Sequence, residues 1–164
     1  MKEEILKFIE DNKYTYLNFL TRFGGFPYIC DYSSEILVGY LHSKFGLEPN
    51  ICEGNFDGDE DLGHFWIELG DTKIDFTLCQ FEIDQIDIAD AIRDNTIANI
   101  IENNVPFPII TKDNEWYKRL EYLEYKYISD EIIDIAKNNN SFEDYLNEMG
   151  LYCYKNNLGI NIFM

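Results

Sequence analysis

The sequence predicts an α+β domain, and three observations carry the prediction. Segments with apolar residues at helical spacing open and close the chain, shorter alternating runs lie between them, and one run folds back on itself around Gly70-Asp71. At 164 residues the chain can bury roughly 70% of its unfolded surface around one core, so neither metal nor disulfide staples are required. The expected organisation is a single domain over 1–164. A core over 1–82 begins with the amino-terminal helix and carries the candidate chemistry, and 83–164 completes the sheet and adds carboxy-terminal helices.

Ile5, Phe8, Ile9, Tyr16, Leu17 and Leu20 recur at roughly helical spacing over residues 2–21, which reads as an amphipathic helix stopped by Gly24-Gly25-Phe26-Pro27. A second helix is expected from Cys30 to Phe45, with Ser34, Leu37, Leu41 and Phe45 on one stripe and Gly46 as its stop. Cys30 lies on that stripe, in the first turn. A strand follows near Asn50 to Phe56, then the acidic loop Asp57-Gly58-Asp59-Glu60-Asp61, then a hairpin from His64 to Thr77. Beyond Phe81 a short helix is expected at Ile86 to Asp94 and an apolar strand at Ile97 to Ile101, while Pro106 and Pro108 mark a loop or a sheet edge. Trp116, Leu120, Leu123 and Tyr127 share a helical stripe within 114–137, and Ser141 reads as the N-cap of a helix from Phe142 to Tyr152.

The hairpin register follows from its turn. With Gly70-Asp71 as a two-residue turn, Leu69 faces Thr72, Trp66 faces Asp75 and His64 faces Thr77, making Asp75 the diagonal neighbour of His64. One face then carries His64, Trp66, Glu68, Lys73, Asp75 and Thr77. The other carries Phe65, Ile67, Leu69, Thr72, Ile74 and Phe76, an almost wholly apolar set that belongs on a core. The hairpin is expected to have a packing side and a chemical side.

Charge narrows the partners. Acidic side chains number 31 against 13 basic, a formal charge of −18 that repels phosphate backbones and anionic lipid surfaces. Nucleic acid and membrane surfaces are therefore not expected partners, whereas a cationic peptide or protein is attracted at long range. Cys30, Cys52, Cys79 and Cys153 are widely spaced without a C-x-x-C pair, and acidic residues stand where a signal peptide would have a basic region. A cytoplasmic chain with reduced thiols is the expectation. No apolar run approaches the ~20 residues needed to cross a bilayer. Asp57, Asp59 and Asp61 resemble the start of a calcium loop, with Glu68 at the twelfth position, but Leu62 stands where that loop needs glycine. No metal site is expected there, and Cys52, Cys79 and Cys153 have no ligand spacing and read as core or surface cysteines.

A thiol in the first turn of a helix sits at the positive end of the helix dipole, which favours thiolate, and a neighbouring imidazole favours it further. Cys30 is thus the candidate nucleophile, His64 the general base and acid, and Asp75 the carboxylate that fixes the imidazole tautomer. His42 lies twelve residues after Cys30 on the same helix, about 18 Å along the axis, and cannot serve it. The backbone N–H groups of the helix start are the expected oxyanion donors. Trp66 and Gln80 are the candidate substrate-contacting residues, Trp66 as a wall on the chemical face and Gln80 as a polar wall after the second strand. The plainer readings are a packed indole and a surface amide.

These residues resemble the transglutaminase-like branch of the papain-like cysteine protease superfamily. That family has a cysteine at a helix start, a strand of pattern H-x-W-x-E, and a strand ending D-x-T. The matching residues are Cys30, His64-Phe65-Trp66-Ile67-Glu68 and Asp75-Phe76-Thr77, and the resemblance covers about 22–82. The chain departs from the pattern at Phe76, where members usually have proline, and at Ile29, where they usually have glycine. The resemblance implies a papain-like core with the nucleophile helix packed on an antiparallel sheet. It also implies thiol chemistry on an acyl group: amide or ester hydrolysis, transfer or deamidation. No cofactor is expected, because the short chain leaves little room for an extra cofactor domain, and the expected partner is a peptide or protein substrate, cationic ones being favoured by the charge. The competing reading is a non-catalytic acidic interaction module that keeps this fold and binds through its charged surface or its aromatic carboxy-terminal helices.

Overall fold

Helix α2 (Cys30–Phe45) is the centre of the molecule: Ser33, Ser34 and every residue from Ile36 to Leu41 are buried, so it is covered on all sides rather than along one stripe. Its carboxy terminus closes at Gly46 in the left-handed conformation, φ 69°, whose N–H returns to the His42 carbonyl. The computed structural model describes residues 2–46 and 49–156. Helix α1 (Lys2–Leu20) lies against α2, with the Tyr16 hydroxyl donating to the Ser33 carbonyl at 2.6 Å. After α2 come strands β1 (Asn50–Phe56), β2 (Asp59–Leu69) and β3 (Thr72–Ile74), then a 3₁₀ turn at Leu78–Phe81. Helices α3 (Gln85–Arg93) and α4 (Ile97–Asn104) follow, then strand β4 (Ile109–Ile110), a second 3₁₀ turn at Glu115–Arg119 and strand β5 (Leu120–Lys126). The chain closes with α5 (Asp130–Lys137) and α6 (Phe142–Lys155), where the Ser141 side chain caps α6 by accepting from the Asp144 N–H at 3.1 Å.

The architecture is α+β: among the described residues, six helices and one five-stranded antiparallel sheet in the order β4-β3-β2-β1-β5. Helix α2 packs on β1 and β2, and α1, α5 and α6 pack on α2. Phe8, Tyr16, Tyr40, Phe142 and Tyr145 join these helices through ring contacts, and the Tyr145 hydroxyl donates to the Ile36 carbonyl at 2.6 Å. No helix among the described residues is long and apolar enough to cross a membrane.

The hairpin pairs as its turn requires, with Leu69 opposite Thr72, Glu68 opposite Lys73 and Ile67 opposite Ile74, where the ladder ends. Four expectations are corrected. Ile97–Ile101 is not a strand but the body of α4, because Ile97 and Ile101 are an i, i+4 pair buried on one side while Asn99 and Glu102 face out. The helical stripe in 114–137 gives way to a 3₁₀ turn and strand β5, which supplies the partner that the outer edge of β1 would otherwise lack. The acidic loop is a hairpin tip: Asp57 and Gly58 take φ of 56° and 68°, and Asp59 already belongs to β2. Finally, the chemical side of the hairpin is as buried as the packing side, with His64, Trp66, Lys73, Asp75 and Thr77 all buried beneath the two 3₁₀ turns.

Candidate functional site

His64 is aimed by an irregularity in its strand. Asn55 pairs with Gly63 but Phe56 pairs with Asp59, leaving Glu60, Asp61 and Leu62 without partners on β1, and His64 is the second residue after this bulge. Its ring meets the Phe81 ring edge-on at 4.9 Å and lies 6.1 Å from Trp66. Phe81 is held in turn by stacking on Phe56 at 4.1 Å, a ring that also carries the Arg119 guanidinium at 4.6 Å. Arg119 closes the tip by a two-pronged pair with Asp57 at 2.8 and 2.9 Å. This contact holds Asp57 below the usual carboxylate range and commits it to structure.

Asp75 lies just past the end of β3, fixed by its own N–H, which donates to the Pro108 carbonyl at 2.8 Å beside β4. Its Oδ2 is 2.5 Å from His64 Nε2, and its Oδ1 accepts from the Thr77 N–H at 2.9 Å and the Thr77 hydroxyl at 3.3 Å. The carboxylate only accepts, so Nε2 carries a proton in either charge state, and in the neutral ring Nδ1 presents the lone pair. The His64 and Asp75 side chains are 0% and 1% exposed. Burial by itself lowers the basicity of His64, but the charge and hydrogen bond of Asp75, and then the Cys30 sulfur, outweigh it and push the pKa up to about 9.

Cys30 meets the ring from the first turn of α2. The N-cap residue is Ile29, whose side chain has no acceptor, so no side chain caps this turn from that position. Cys30 is the partly exposed thiol, while Cys52, Cys79 and Cys153 are buried and free. Burial pushes Cys52 far up, Cys79 up to about 12 and Cys153 up to about 11, so these three are poor nucleophiles near neutral pH.

The structure thus brings Cys30, His64 and Asp75 into one cluster made from a helix start, a strand and a strand end. Gln80 joins them, with its Nε2 3.0 Å from His64 Nδ1 and 3.3 Å from the Thr77 carbonyl. Trp66 does not wall a cleft. It is 0% exposed and lies between His64 and the Lys73 ammonium, supporting the ring from within the core. Sequence reasoning missed Thr77 and Phe81 as parts of the site. The D-x-T spacing carried a signal for the first, since an Asp side chain readily accepts from the N–H two residues on. Phe81 offered none, because its role depends on a stack with Phe56 from another strand. His42 stands apart, in the last turn of α2. Among the described residues no group of three or more His, Cys, Asp or Glu side chains converges as metal ligands do. In chemical terms the cluster can move a proton between sulfur and imidazole, with the imidazolium held by a buried carboxylate. Compared with protein-family models, curated proteins and solved structures, the chain matches none.

Proposed function

We propose that Cys30, His64 and Asp75 form a thiol centre that attacks an amide or ester carbonyl, as the resemblance to the transglutaminase-like branch of the papain-like enzymes implies. The observation that carries this reading is the His64 ring set between the Asp75 carboxylate and the Cys30 sulfur at the start of α2. The Cys30 proton passes to His64 Nδ1 and the sulfur bonds to the carbonyl carbon. The oxyanion that forms is met by N–H groups of the first turn of α2, and His64 returns the proton to the departing amine or alcohol. Water then attacks the thioester with His64 as base, releasing the acid and restoring the thiol. Because His64 and Asp75 have almost no exposed surface, the substrate approaches over Cys30.

The test is alkylation followed by mass spectrometry, run beside hydrolysis of a peptide-ester library. Cys30 should react first, His64→Ala should slow it at least tenfold, and Cys30→Ala should abolish turnover. Faster modification of Cys52, Cys79 or Cys153, or a Cys30 rate indifferent to His64, would sink the proposal. A second reading, a non-catalytic interaction module, is favoured by one observation: Tyr122, Leu123, Tyr125 and Tyr127 are exposed on or beside the edge strand β5. It gains if no acyl substrate turns over.

A further inference from the structure

Both nitrogens of the His64 ring are held by one short stretch of chain, Asp75–Gln80. Asp75 Oδ2 accepts from the Nε2–H at a separation of 2.5 Å, and the Gln80 side-chain nitrogen lies 3.0 Å from Nδ1. The orientation of that amide is set by Thr77: the same nitrogen is 3.3 Å from the Thr77 carbonyl, which can only accept, so the NH₂ end faces both partners and the carbonyl end cannot. Thr77 is itself tied to Asp75 through its N–H and its hydroxyl, and the Gln80 N–H closes the 3₁₀ turn on the Thr77 carbonyl at 3.1 Å. The result is a closed circuit, His64 to Asp75 to Thr77 to Gln80 and back to His64.

This circuit places two donors on one lone pair. Nδ1 is where the Cys30 proton must go, and Gln80 already donates there. Once Nδ1 is protonated it faces an N–H with an N–H, in a pocket where the ring has no exposed surface. The amide contact therefore opposes the charged ring. The titratable groups that bear on His64 are Cys30 from α2 and Asp75 from the end of β3, both favouring the imidazolium, with Cys79 of the 3₁₀ turn lying behind Asp75. Phe81 and Trp66, the rings packed against it, carry no charge. Gln80 is the group in contact with the ring that favours the neutral form.

We propose that Gln80 is a positioning residue, a latch whose amide on Nδ1 opposes protonation of the His64 ring there, so that passage of the Cys30 proton to Nδ1 requires the amide to be drawn off. The latch rests on the reading of Cys30, His64 and Asp75 as a reacting centre, but its effect on the ring is measurable without that chemistry. Gln80 is only partly buried, so a ligand bearing an acceptor can reach the latch while the ring stays enclosed.

The experiment follows the His64 ring by ¹⁵N and ¹H NMR across pH in the Cys30→Ala background, with and without Gln80→Met, which keeps the length and removes the donor. The His64 midpoint should rise by roughly one pH unit when the donor is lost, the size expected for one hydrogen bond to the neutral form. Gln80→Asn, too short to reach Nδ1, should give the same rise and keeps the result readable if the Met variant does not fold. In the full chain, the upper pH limit of the His64-dependent alkylation of Cys30 should then move up by the same roughly one pH unit in either Gln80 variant. An unmoved midpoint in both variants overturns the latch, whatever Cys30 does. A raised midpoint with a Cys30 rate that ignores His64→Ala supports the latch on the ring and overturns the acyl-transfer reading instead.

Discussion

Asp75 shows how much a single carboxylate can decide. Its Oδ1 is occupied by the Thr77 N–H and hydroxyl, so in Asp75→Asn the side-chain oxygen must stay on Thr77 and the NH₂ must face His64 Nε2. A donor at that position forces the proton onto Nδ1, the wrong tautomer for accepting the Cys30 proton. The expected outcome is a fold that survives and a Cys30 alkylation rate lowered at least tenfold, read by mass spectrometry beside circular dichroism. Lys73 makes the complementary case, a charge used for structure. Its ammonium donates to the Tyr117 and Leu120 carbonyls at 2.8 Å each and lies 4.1 Å from the Tyr117 ring and 5.6 Å from Trp66. Burial lowers its pKa, yet two charge-assisted bonds and two rings fix it and bind the second 3₁₀ turn to β3. Lys73→Met keeps the stem and strands both carbonyls, and should cost about 2–4 kcal/mol in urea denaturation. A loss under ~0.5 kcal/mol would show that water replaces the ammonium.

At the scale of elements, β5 is joined to β1 through a defect. The register shifts between Glu53 and Gly54, and a Cβ at Gly54 would collide with the Glu121 carbonyl and the Trp66 ring. A backbone carbonyl cannot rotate aside, so Gly54→Ala should either detach β5 or push Trp66 against His64. The expected loss is about 3 kcal/mol or more, measured by thermal unfolding, with rising protease sensitivity near Leu120–Lys126. Elements whose signal is local were legible beforehand: α1 and α2 from their spacing, the β2–β3 register from a two-residue turn, and the start of α6 from the Ser141 cap. Elements chosen by distant partners were not. Glu121-Tyr122-Leu123-Glu124-Tyr125 suits a helix or an edge strand equally, and only the free edge of β1 selects the strand. The same holds at the site. Cys30, His64 and Asp75 follow from a helix start and a hairpin register, whereas the clamp of Gln80 on Nδ1 depends on a 3₁₀ turn with no sequence period.

Across the whole molecule, protonation and fold are linked in one direction. The chain carries 31 acidic and 13 basic side chains, so raising the pH adds charge to an already anionic surface. His64 steepens this trend. Its folded pKa is pushed up to about 9 by Asp75 and Cys30 against the lowering effect of burial, so the folded chain holds this proton more tightly than the unfolded one. The stability it supplies is complete below about pH 6.5, the unfolded value, and is lost as the pH rises through about 9. Cys79 and Cys153 extend the slope, because burial raises them to about 12 and about 11 and the unfolded chain releases those protons first. On the acid side, the Arg119, Lys2 and Thr111 hydrogen bonds hold Asp57, Asp71 and Asp113 low, and the support they give fades as pH falls. These carboxylates are exposed, and their contribution is small. Urea denaturation should therefore give a maximum on the acid side of neutrality, then a fall on the order of 2 kcal/mol between about pH 6.5 and 9. Asp75→Asn should flatten that fall while leaving the steeper loss above about pH 9, where thiols ionise. Gln80→Met should make it steeper, since the wild-type amide supports the neutral ring and offsets part of the loss. A wild-type profile level from about pH 6.5 to 9 would mean that His64 is equally basic in both states, and that the carboxylate beside it gives the fold no pH-dependent support.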